Sequence, residues 1–467
     1  MSAPVPYSRH ARTLLLLGLP LIGGNVGQMA VQVIDTLMLG WYDVSALAAV
    51  ILGSTFWFVL FILGSGLAWA VSPLVATAEA SGDHVRIRRV SRMGLWASAL
   101  YAVAVLPLMW FSQPLLSALG QERELAEAAQ SYLRITGWGM IPALGVMVLK
   151  SYLAAMDRAG ITMWITLAAA AANAVLNYAL IFGNWGMPEL GIRGSAIASL
   201  MVHVVSIIGL VIYARRVFPE HDLFRRLWRP DWEICSEILR MGGPIGLTSL
   251  AEVGLFSATS VMMGWLGEIP LAAHGIALQV ISVMFMVHVG LAQAAAILAG
   301  RAMGRGDPRG LARGGRTAIA MSLGFAAITI VIFVSLPSLL IGMFVDPADP
   351  DRALILATGV PLLLVAAVFQ LADAMQVVAL GLLRGIRDTK VPMIIAAIAY
   401  WPVGMPVAYL LGFTLDYRGP GVWMGLTFGL GVAAVLLLIR FWGPGLRGVR
   451  RNRNWNGTPQ EDTALKG

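Results

Sequence analysis

The sequence is poor in cysteine and in charge. Its single cysteine, Cys235, excludes both a disulfide within the chain and a metal site built from several cysteines. Charged residues make up 12% of the 467 residues, whereas soluble proteins average about 25%. Hydrophobic residues reach 58%, and the mean hydropathy is +0.77. These values exclude an ordinary soluble protein and indicate an integral membrane protein.

Long apolar runs recur along the whole chain, each long enough for a helix to cross a hydrocarbon core of about 30 Å. Because they do not alternate in polarity, a membrane β-barrel is excluded and an all-α fold of twelve transmembrane helices is predicted. The first run is too long for a cleavable signal and lacks a cleavage pattern, so we expect it in the mature chain. The predicted spans are 13–40, 47–78, 90–112, 130–156, 159–184, 191–216, 237–266, 270–301, 316–345, 354–384, 391–413 and 420–444.

Basic residues account for the net charge of +8, and they cluster after the second, sixth, eighth, tenth and twelfth spans. This pattern matches the excess of Lys and Arg in cytoplasmic loops, and no nucleic-acid partner is expected. Both termini are therefore predicted to be cytoplasmic. The clusters are Arg86, Arg88, Arg89 and Arg92; Arg215, Arg216, Arg225, Arg226 and Arg229; Arg301, Arg305, Arg309, Arg313 and Arg316; Arg384, Arg387 and Lys390; and Arg447, Arg450, Arg451 and Arg453. The other side has Arg123, Arg134, Arg193, Arg352 and Arg418.

The chain also repeats itself at an offset of 224 residues. Matched Gly, Pro and Trp residues at one constant offset are harder to obtain by chance than matched apolar residues. Each half then holds six helices, so we expect two six-helix lobes related by a pseudo-two-fold axis along the membrane normal, a plan typical of secondary transporters. The matches include Gly18 and Pro20 with Gly242 and Pro244, Gly40-Trp41 with Gly264-Trp265, and Gly82-Asp83 with Gly306-Asp307.

The repeat and the composition predict four segments. Residues 1–216 form the N-terminal lobe, and residues 217–236 form a cytoplasmic linker. Residues 237–445 form the C-terminal lobe, and residues 446–467 form a polar cytoplasmic tail.

Three carboxylates, Asp35, Glu252 and Asp373, lie inside predicted spans with no adjacent Lys or Arg. An acid at membrane depth costs about 2.5 to 3.5 kcal/mol on insertion scales, so such residues usually face a cavity and handle ions, protons or cationic substrates. At the repeat offset, Gln28 aligns with Glu252 and Asp35 with Thr259. The acids are not repeat-related, which predicts two lobes of similar structure and different chemistry.

In the first lobe, helical spacing places Gln28, Gln32 and Asp35 on one face of the first helix, and Asn173 with Asn177 on one face of the fifth. Carboxylate and amide oxygens at these positions could cage a hard cation or form a proton relay. Two alternatives stay open. The amides could serve only helix packing, and Asp35 could be an interfacial acid.

In the second lobe, Glu252 lies near the middle of the seventh helix and Asp373 near the middle of the tenth. Asp373 is flanked at three residues by Gln370 and Gln376. His288 could pair with an acid or titrate, although a lone His in an apolar helix is more often a packing residue. The substrate-cavity candidates are Gln28, Gln32, Phe256, Gln279, Gln370 and Gln376.

Several segments resemble the multidrug and toxin extrusion (MATE) transporters, and especially their NorM-like bacterial branch. The resemblance covers all twelve predicted helices. Phe369, where a Tyr is common in Na⁺-associated relatives, and Gly275, where a Gln is usual, disfavour Na⁺ as the second-lobe ion. The segments are GQMAVQVIDTLMLG in the first helix, ALAAVILGSTFWFVLFILGSGLAWAVSPLVA in the second, AEVGLF in the seventh and FQLADAMQVVALGLLRGIRDTKVP in the tenth.

The resemblance implies an exporter of drugs driven by inward Na⁺ or H⁺. It implies a first-lobe cation site at Asp35, Asn173 and Asn177, and coupling roles in the second lobe for Glu252 and Asp373, with Na⁺ a possible occupant of either site. We predict a secondary active antiporter in a bacterial inner membrane that exports amphipathic organic cations by alternating access. The expected partners are the lipid bilayer and these substrates, with no cofactor and a monomeric state.

Three alternatives compete with this prediction. A flippase for anionic lipid-linked saccharides would need cationic residues in its cavity, whereas the embedded charges here are acidic. A membrane-embedded enzyme is disfavoured because the sequence has no DDxxD, HExxH or GxSxG motif. A channel is the third alternative, and saturable counterflow coupled to an ion gradient would exclude it.

Overall fold

The computed structural model describes residues 6–224 and 228–449, and the side chains of residues 44 and 45 are not described. In these ranges twelve helices are long and apolar enough to cross a membrane, which confirms the predicted count. They are α1 (Tyr7–Tyr42), α2 (Val44–Ala80), α3 (His84–Trp110), α4 (Arg123–Ala155), α5 (Ala159–Phe182), α6 (Ile192–Val217), α7 (Trp232–Trp265), α8 (Glu268–Gly304), α9 (Pro308–Ser335), α10 (Arg352–Gly385), α11 (Lys390–Thr414) and α12 (Arg418–Val449).

The predicted span 316–345 was misplaced at both ends. Helix α9 begins at Pro308, where proline is well suited to a first helical turn because its missing N–H would have no partner there. It ends at Ser335, and a separate short helix, Pro337–Gly342, follows. The apolar sequence continues across this break, so hydropathy alone could not reveal it.

The repeat is visible in local structure where α3 and α9 begin. Gly82 and Gly306 both have positive φ angles, of 73° and 58°. The next residues cap the helices: the Asp83 carboxylate accepts a hydrogen bond from the Arg86 N–H at 2.9 Å, and Asp307 accepts one from the Gly310 N–H at 2.8 Å. The same turn and cap therefore occur 224 residues apart.

The chain divides into two compact units. The first unit comprises Leu16–Val75 and Asp83–Gly254, and the second comprises Met1–Leu15, Ala76–Gly82 and Leu255–Gly467. Helix α7 begins at Trp232, inside the predicted linker, so the buried Cys235 is helical. Residues 446–449 continue α12, while the rest of the predicted tail lies outside the described residues, as do Arg225 and Arg226. The predicted lobe boundaries stay a prediction.

Glycine allows α2 and α7 to pack closely within the first unit. A Cβ atom at Gly242 would lie 2.7 Å from the Leu67 Cα and 2.9 Å from the Gly66 carbonyl oxygen. No side chain fits in that space, so the backbones meet directly, as is common in helix pairs within membranes.

Ion pairs hold the start of α7 against the start of α3. The Arg86 guanidinium lies 2.8 Å from the Glu237 carboxylate, and Arg89 lies 2.5 Å from Asp231 and 2.8 Å from Glu233. These contacts hold the end of the linker and the start of α7 beside the start of α3.

The other end of the linker is anchored through His221, which is buried. Its Nδ1 is 2.6 Å from the Tyr152 hydroxyl, and its Nε2 is 3.2 Å from His84 Nδ1. The chain is thus tied to α3 on both sides of the linker's undescribed residues, and to α4 before them.

Candidate functional site

The acid of α1 and the amides of α5 form one hydrogen-bonded cluster in the first unit. The Asn177 Nδ2 donates to the Asp35 Oδ1 at 2.5 Å and lies 3.2 Å from the Asn173 Oδ1. Both asparagines are fully buried. The predicted spatial association of Asp35, Asn173 and Asn177 is therefore present, although their role is a separate question.

Ser199 of α6 completes this cluster, and sequence reasoning missed it. Its hydroxyl donates to the second oxygen of Asp35, Oδ2, at 3.2 Å. Nothing distinguishes Ser199 from the other small residues of α6 in the sequence, because serine commonly serves helix packing in membranes.

The cluster offers several oxygen atoms to a cation. The Asn177 Oδ1 is buried and has no hydrogen-bond partner in the described part of the chain. Together with the two carboxylate oxygens and the Asn173 Oδ1, it provides the all-oxygen donor set that hard cations require. The same carboxylate can instead hold a proton, so the donor set suits either ion.

In the second unit, Asp373 lies in the interior with its two flanking glutamines. Asp373 is 1% exposed, and Gln370 and Gln376 are fully buried. The Gln376 Nε2 donates to the Tyr400 hydroxyl at 2.6 Å. Neither polar atom of the Gln370 amide has a hydrogen-bond partner among the described residues. Since buried amides are costly when unsatisfied, this stripe is suited to a bound ion, water or substrate.

His288 approaches the same stretch of α10 through a serine. Its Nδ1 is 2.9 Å from the Ser322 hydroxyl, and that hydroxyl lies 3.4 Å from the carbonyl oxygen of Ala374, the residue after Asp373. His288 therefore joins α8 to α9 and α10. This contact gives the imidazole Nδ1 a partner, and the predicted coupling role of His288 stays a prediction.

Aromatic side chains continue from α10 to α12 in the second unit. Phe256 meets Phe369 edge to face at 6.2 Å, and Phe369 meets Trp423 at 5.9 Å. The Trp423 indole donates to His274 Nδ1 at 3.1 Å, and His274 Nε2 lies 3.0 Å from the Ser260 hydroxyl. Sequence reasoning singled out Phe256 and missed His274, whose surroundings in AHGIALQ carry no signal of this contact.

The other predicted residues have mixed positions. Glu252 is half-buried and belongs to the first compact unit, whereas Asp373 belongs to the second. Gln32 and Gln279 are exposed, and Gln28 lines a cavity in the first unit. No group of three or more His, Cys, Asp or Glu side chains suited to a metal ion occurs among the described residues.

A family model and individual proteins match this chain. The MatE family model matches residues 20–179 and 244–410, two segments that begin 224 residues apart, the offset of the sequence repeat. The probable multidrug resistance protein NorM of Rhizobium meliloti is 45% identical over 93% of this chain and 94% of its own length. That of Agrobacterium fabrum is 41% identical over 92% and 93%.

Solved structures share the fold at lower identity. The crystal structure of the eukaryotic MATE transporter AtDTX14 matches with a TM-score of 0.83 at 21% identity, over 96% of this chain and 99% of that one. At this identity the match supports the two-lobe, all-helical fold and nothing finer.

Proposed function

Since the chain belongs to the MATE family of ion-coupled multidrug efflux transporters, we propose that it exports amphipathic organic cations in exchange for H⁺ or Na⁺. Family membership excludes the membrane-embedded enzyme. The flippase alternative finds no support at the two candidate sites, because Asp35 and Asp373 are acidic and an anionic saccharide carrier would need cations there. The substrate class, the coupling residues and the alternating-access cycle are the proposed parts.

The observation that carries the proposal is the cluster of Asp35 with Asn177, Asn173 and Ser199. The three polar neighbours of this carboxylate lie on two other helices, α5 and α6, and give it a defined geometry. Neutralising it with a cation or a proton changes its hydrogen bonding and hence the packing of α1, α5 and α6. Such a change is what an ion-driven conformational switch requires.

Competition for the carboxylates supplies the coupling. Substrate entering from the cytoplasm displaces the ion, and an ion entering from outside releases the substrate. If one monovalent cation leaves as one proton enters, no net charge moves, and only the pH gradient contributes, about 1.4 kcal/mol per unit. A neutral substrate would also gain about 2.3 kcal/mol per 100 mV.

Asp373 and Glu252 are proposed to act in the second coupling step. Gln370 and Gln376 lie about one helical turn to either side of Asp373, and all three are buried. Protonation of Asp373, or an ion bound to it, would therefore change the electrostatic surroundings of both amides. Phe256 and the exposed glutamines Gln32 and Gln279 are proposed to contact substrate, where an aromatic face can attract an organic cation.

The multi-pass chain is proposed to reside in a bacterial inner membrane as a monomer. The excess of basic residues after even-numbered spans supports cytoplasmic termini. Accessibility of a tag placed at either terminus in inside-out and right-side-out vesicles would test this orientation.

Efflux of a fluorescent organic cation from inverted vesicles tests the coupling residues. Asp373→Asn and Glu252→Gln should each abolish ion-driven transport while membrane levels stay unchanged. Glu124→Gln, which alters an exposed acid of α4, is the matched control and should transport normally. Wild-type rates in either test variant would remove that residue from the proposed mechanism.

A further inference from the structure

A cavity lies inside the first unit among α1, α4, α5 and α6. Its volume, counted as the space open to the centre of a water-sized sphere, is about 30 Å³. Because about 10 to 15 Å³ by this measure holds one water, a single small ion has room there. Its remaining wall is Val, Ile and Ala. The polar side chains that line it are Gln28, Lys150, Thr166, Ser199, His203 and Ser206.

The side chains that line this cavity carry positive charge and no negative charge. Among the described residues that line it, none is acidic, whereas Lys150 contributes an ammonium group. His203 is an electrostatic neighbour of Lys150, and no carboxylate among the described residues forms an ion pair with Lys150. An ammonium group at membrane depth is costly when no counter-charge is near. The cavity therefore favours an anion and disfavours a cation.

We propose that this cavity binds a small monovalent inorganic anion of the halide type, held by the Lys150 ammonium and the His203 imidazole N–H. The Ser206 hydroxyl can donate a hydrogen bond to the same ion. The hydroxyls of Thr166 and Ser199 already donate to the Thr162 carbonyl oxygen and to Asp35. The Trp57 indole is stacked with the His203 ring and positions it. The ring centroids are 6.5 Å apart, and the interplanar angle is 10°. The apolar wall suits a large, weakly hydrated ion.

Ser199 links the anion cavity to the cation cluster. It lines the cavity, and its hydroxyl donates to Asp35 at 3.2 Å. Gln28, also in the wall, is two helical turns from Asp35, or about 10 Å along α1. At that distance charges still interact in a low-dielectric interior. Anion binding in the cavity and cation binding at Asp35 therefore strengthen each other, and this reciprocity rests on the proposed function of Asp35.

Thermal unfolding of the purified full-length protein tests the site. Midpoints are compared in sodium chloride, sodium bromide and sodium gluconate at equal concentration, so that the cation is constant. We expect chloride and bromide to raise the midpoint by about 2 °C or more relative to gluconate, because a ligand that binds only the folded state stabilises it. Lys150→Met should remove this difference, and Lys390→Met, at an exposed lysine, should keep it.

Two further variants keep the test decisive if Lys150→Met fails to fold. Lys150→Arg should keep the halide effect. His203→Asn should raise at least threefold the halide concentration that gives half of the maximal stabilisation. No halide effect in the wild-type protein would overturn the proposal. An equal effect in His203→Asn and the wild-type protein would also overturn it, since halide would then bind elsewhere.

Asp35→Asn separates this site from the transport mechanism. The variant should lose ion-driven efflux and bind halide more tightly, because the nearby negative charge is gone. If Asp35→Asn is stabilised by halide and also shows normal efflux, the proposed role of Asp35 is refuted. The proposed anion site would then still stand. Weaker halide binding in this variant would contradict the proposed coupling.

Discussion

The side-chain amide of Asn177 donates a hydrogen bond to the carboxylate of Asp35 at 2.5 Å, across 142 positions of sequence. This contact joins the only acid of α1 in the membrane to the polar face of α5. Asn177 is fully buried, so water cannot readily replace it.

Asn177→Ala should weaken cation-driven transport. A hydrogen bond to a charged group contributes about 1.5 to 3 kcal/mol, which corresponds to a tenfold or greater rise in the cation concentration at half-maximal efflux. The measurement is efflux from proteoliposomes at varied external cation concentration. Asn184→Ala is the control, because the side-chain amide of Asn184 donates to a backbone carbonyl oxygen, that of Tyr178, at 3.4 Å. Equal shifts in the two variants would argue against a role for Asn177.

Gly242→Ala and Gly243→Ala should differ sharply in stability although they are adjacent. A methyl group at Gly242 would meet the backbone of α2, whereas none of the described atoms outside its own helix lies within 4 Å of a methyl group at Gly243. Overpacking typically costs about 1 to 3 kcal/mol, while Ala in place of an unconstrained helical Gly gains up to about 1 kcal/mol. Thermal unfolding in detergent would measure the difference. Equal midpoints would mean that α2 and α7 do not pack this closely.

Acid should weaken the attachment of α7 to α3. The hydrogen bonds from Arg89 hold the pKa of the Asp231 carboxyl below its ordinary value of 3.8. Because the folded-state pKa is depressed, the pair stabilises the fold above pH 4, and this contribution is lost as pH falls through the folded-state value. The partly exposed pair contributes about 1 kcal/mol or less.

Unfolding midpoints at pH 6 and pH 3 would measure this contribution. The wild-type protein should lose more stability on acidification than Asp231→Asn. Glu127→Gln should behave like the wild-type protein, because the Arg123–Glu127 pair is exposed. An identical pH dependence in wild type and Asp231→Asn would show that the ion pair does not stabilise the fold.

The membrane fold was largely predictable because each helix must be apolar along its whole length to cross the bilayer. Helix ends were less predictable, since caps such as Asp307 depend on one side chain and breaks such as that before Pro337 do not change the hydropathy. The Asp35, Asn173 and Asn177 cluster was predicted because their helical spacing defines one face. Ser199 was not, since its role depends on how α6 packs against α1.

In the second unit, residue spacing along one helix predicted which residues share a face but not their partners on other helices. The glutamine spacing around Asp373 predicted a polar stripe, and all three residues are indeed buried together. The contacts of Gln376 with Tyr400 and of His274 with Trp423 join different helices. Nothing in the spacing along one helix determines such partners.

Transport in proteoliposomes with Na⁺ and pH gradients imposed separately is the most direct test of ion-coupled export. The wild-type protein should move a fluorescent organic cation against its gradient when at least one inward ion gradient is present, and Asp35→Asn and Asp373→Asn should not. Equal transport without either gradient, or undiminished uphill transport in both variants, would contradict carboxylate-coupled antiport.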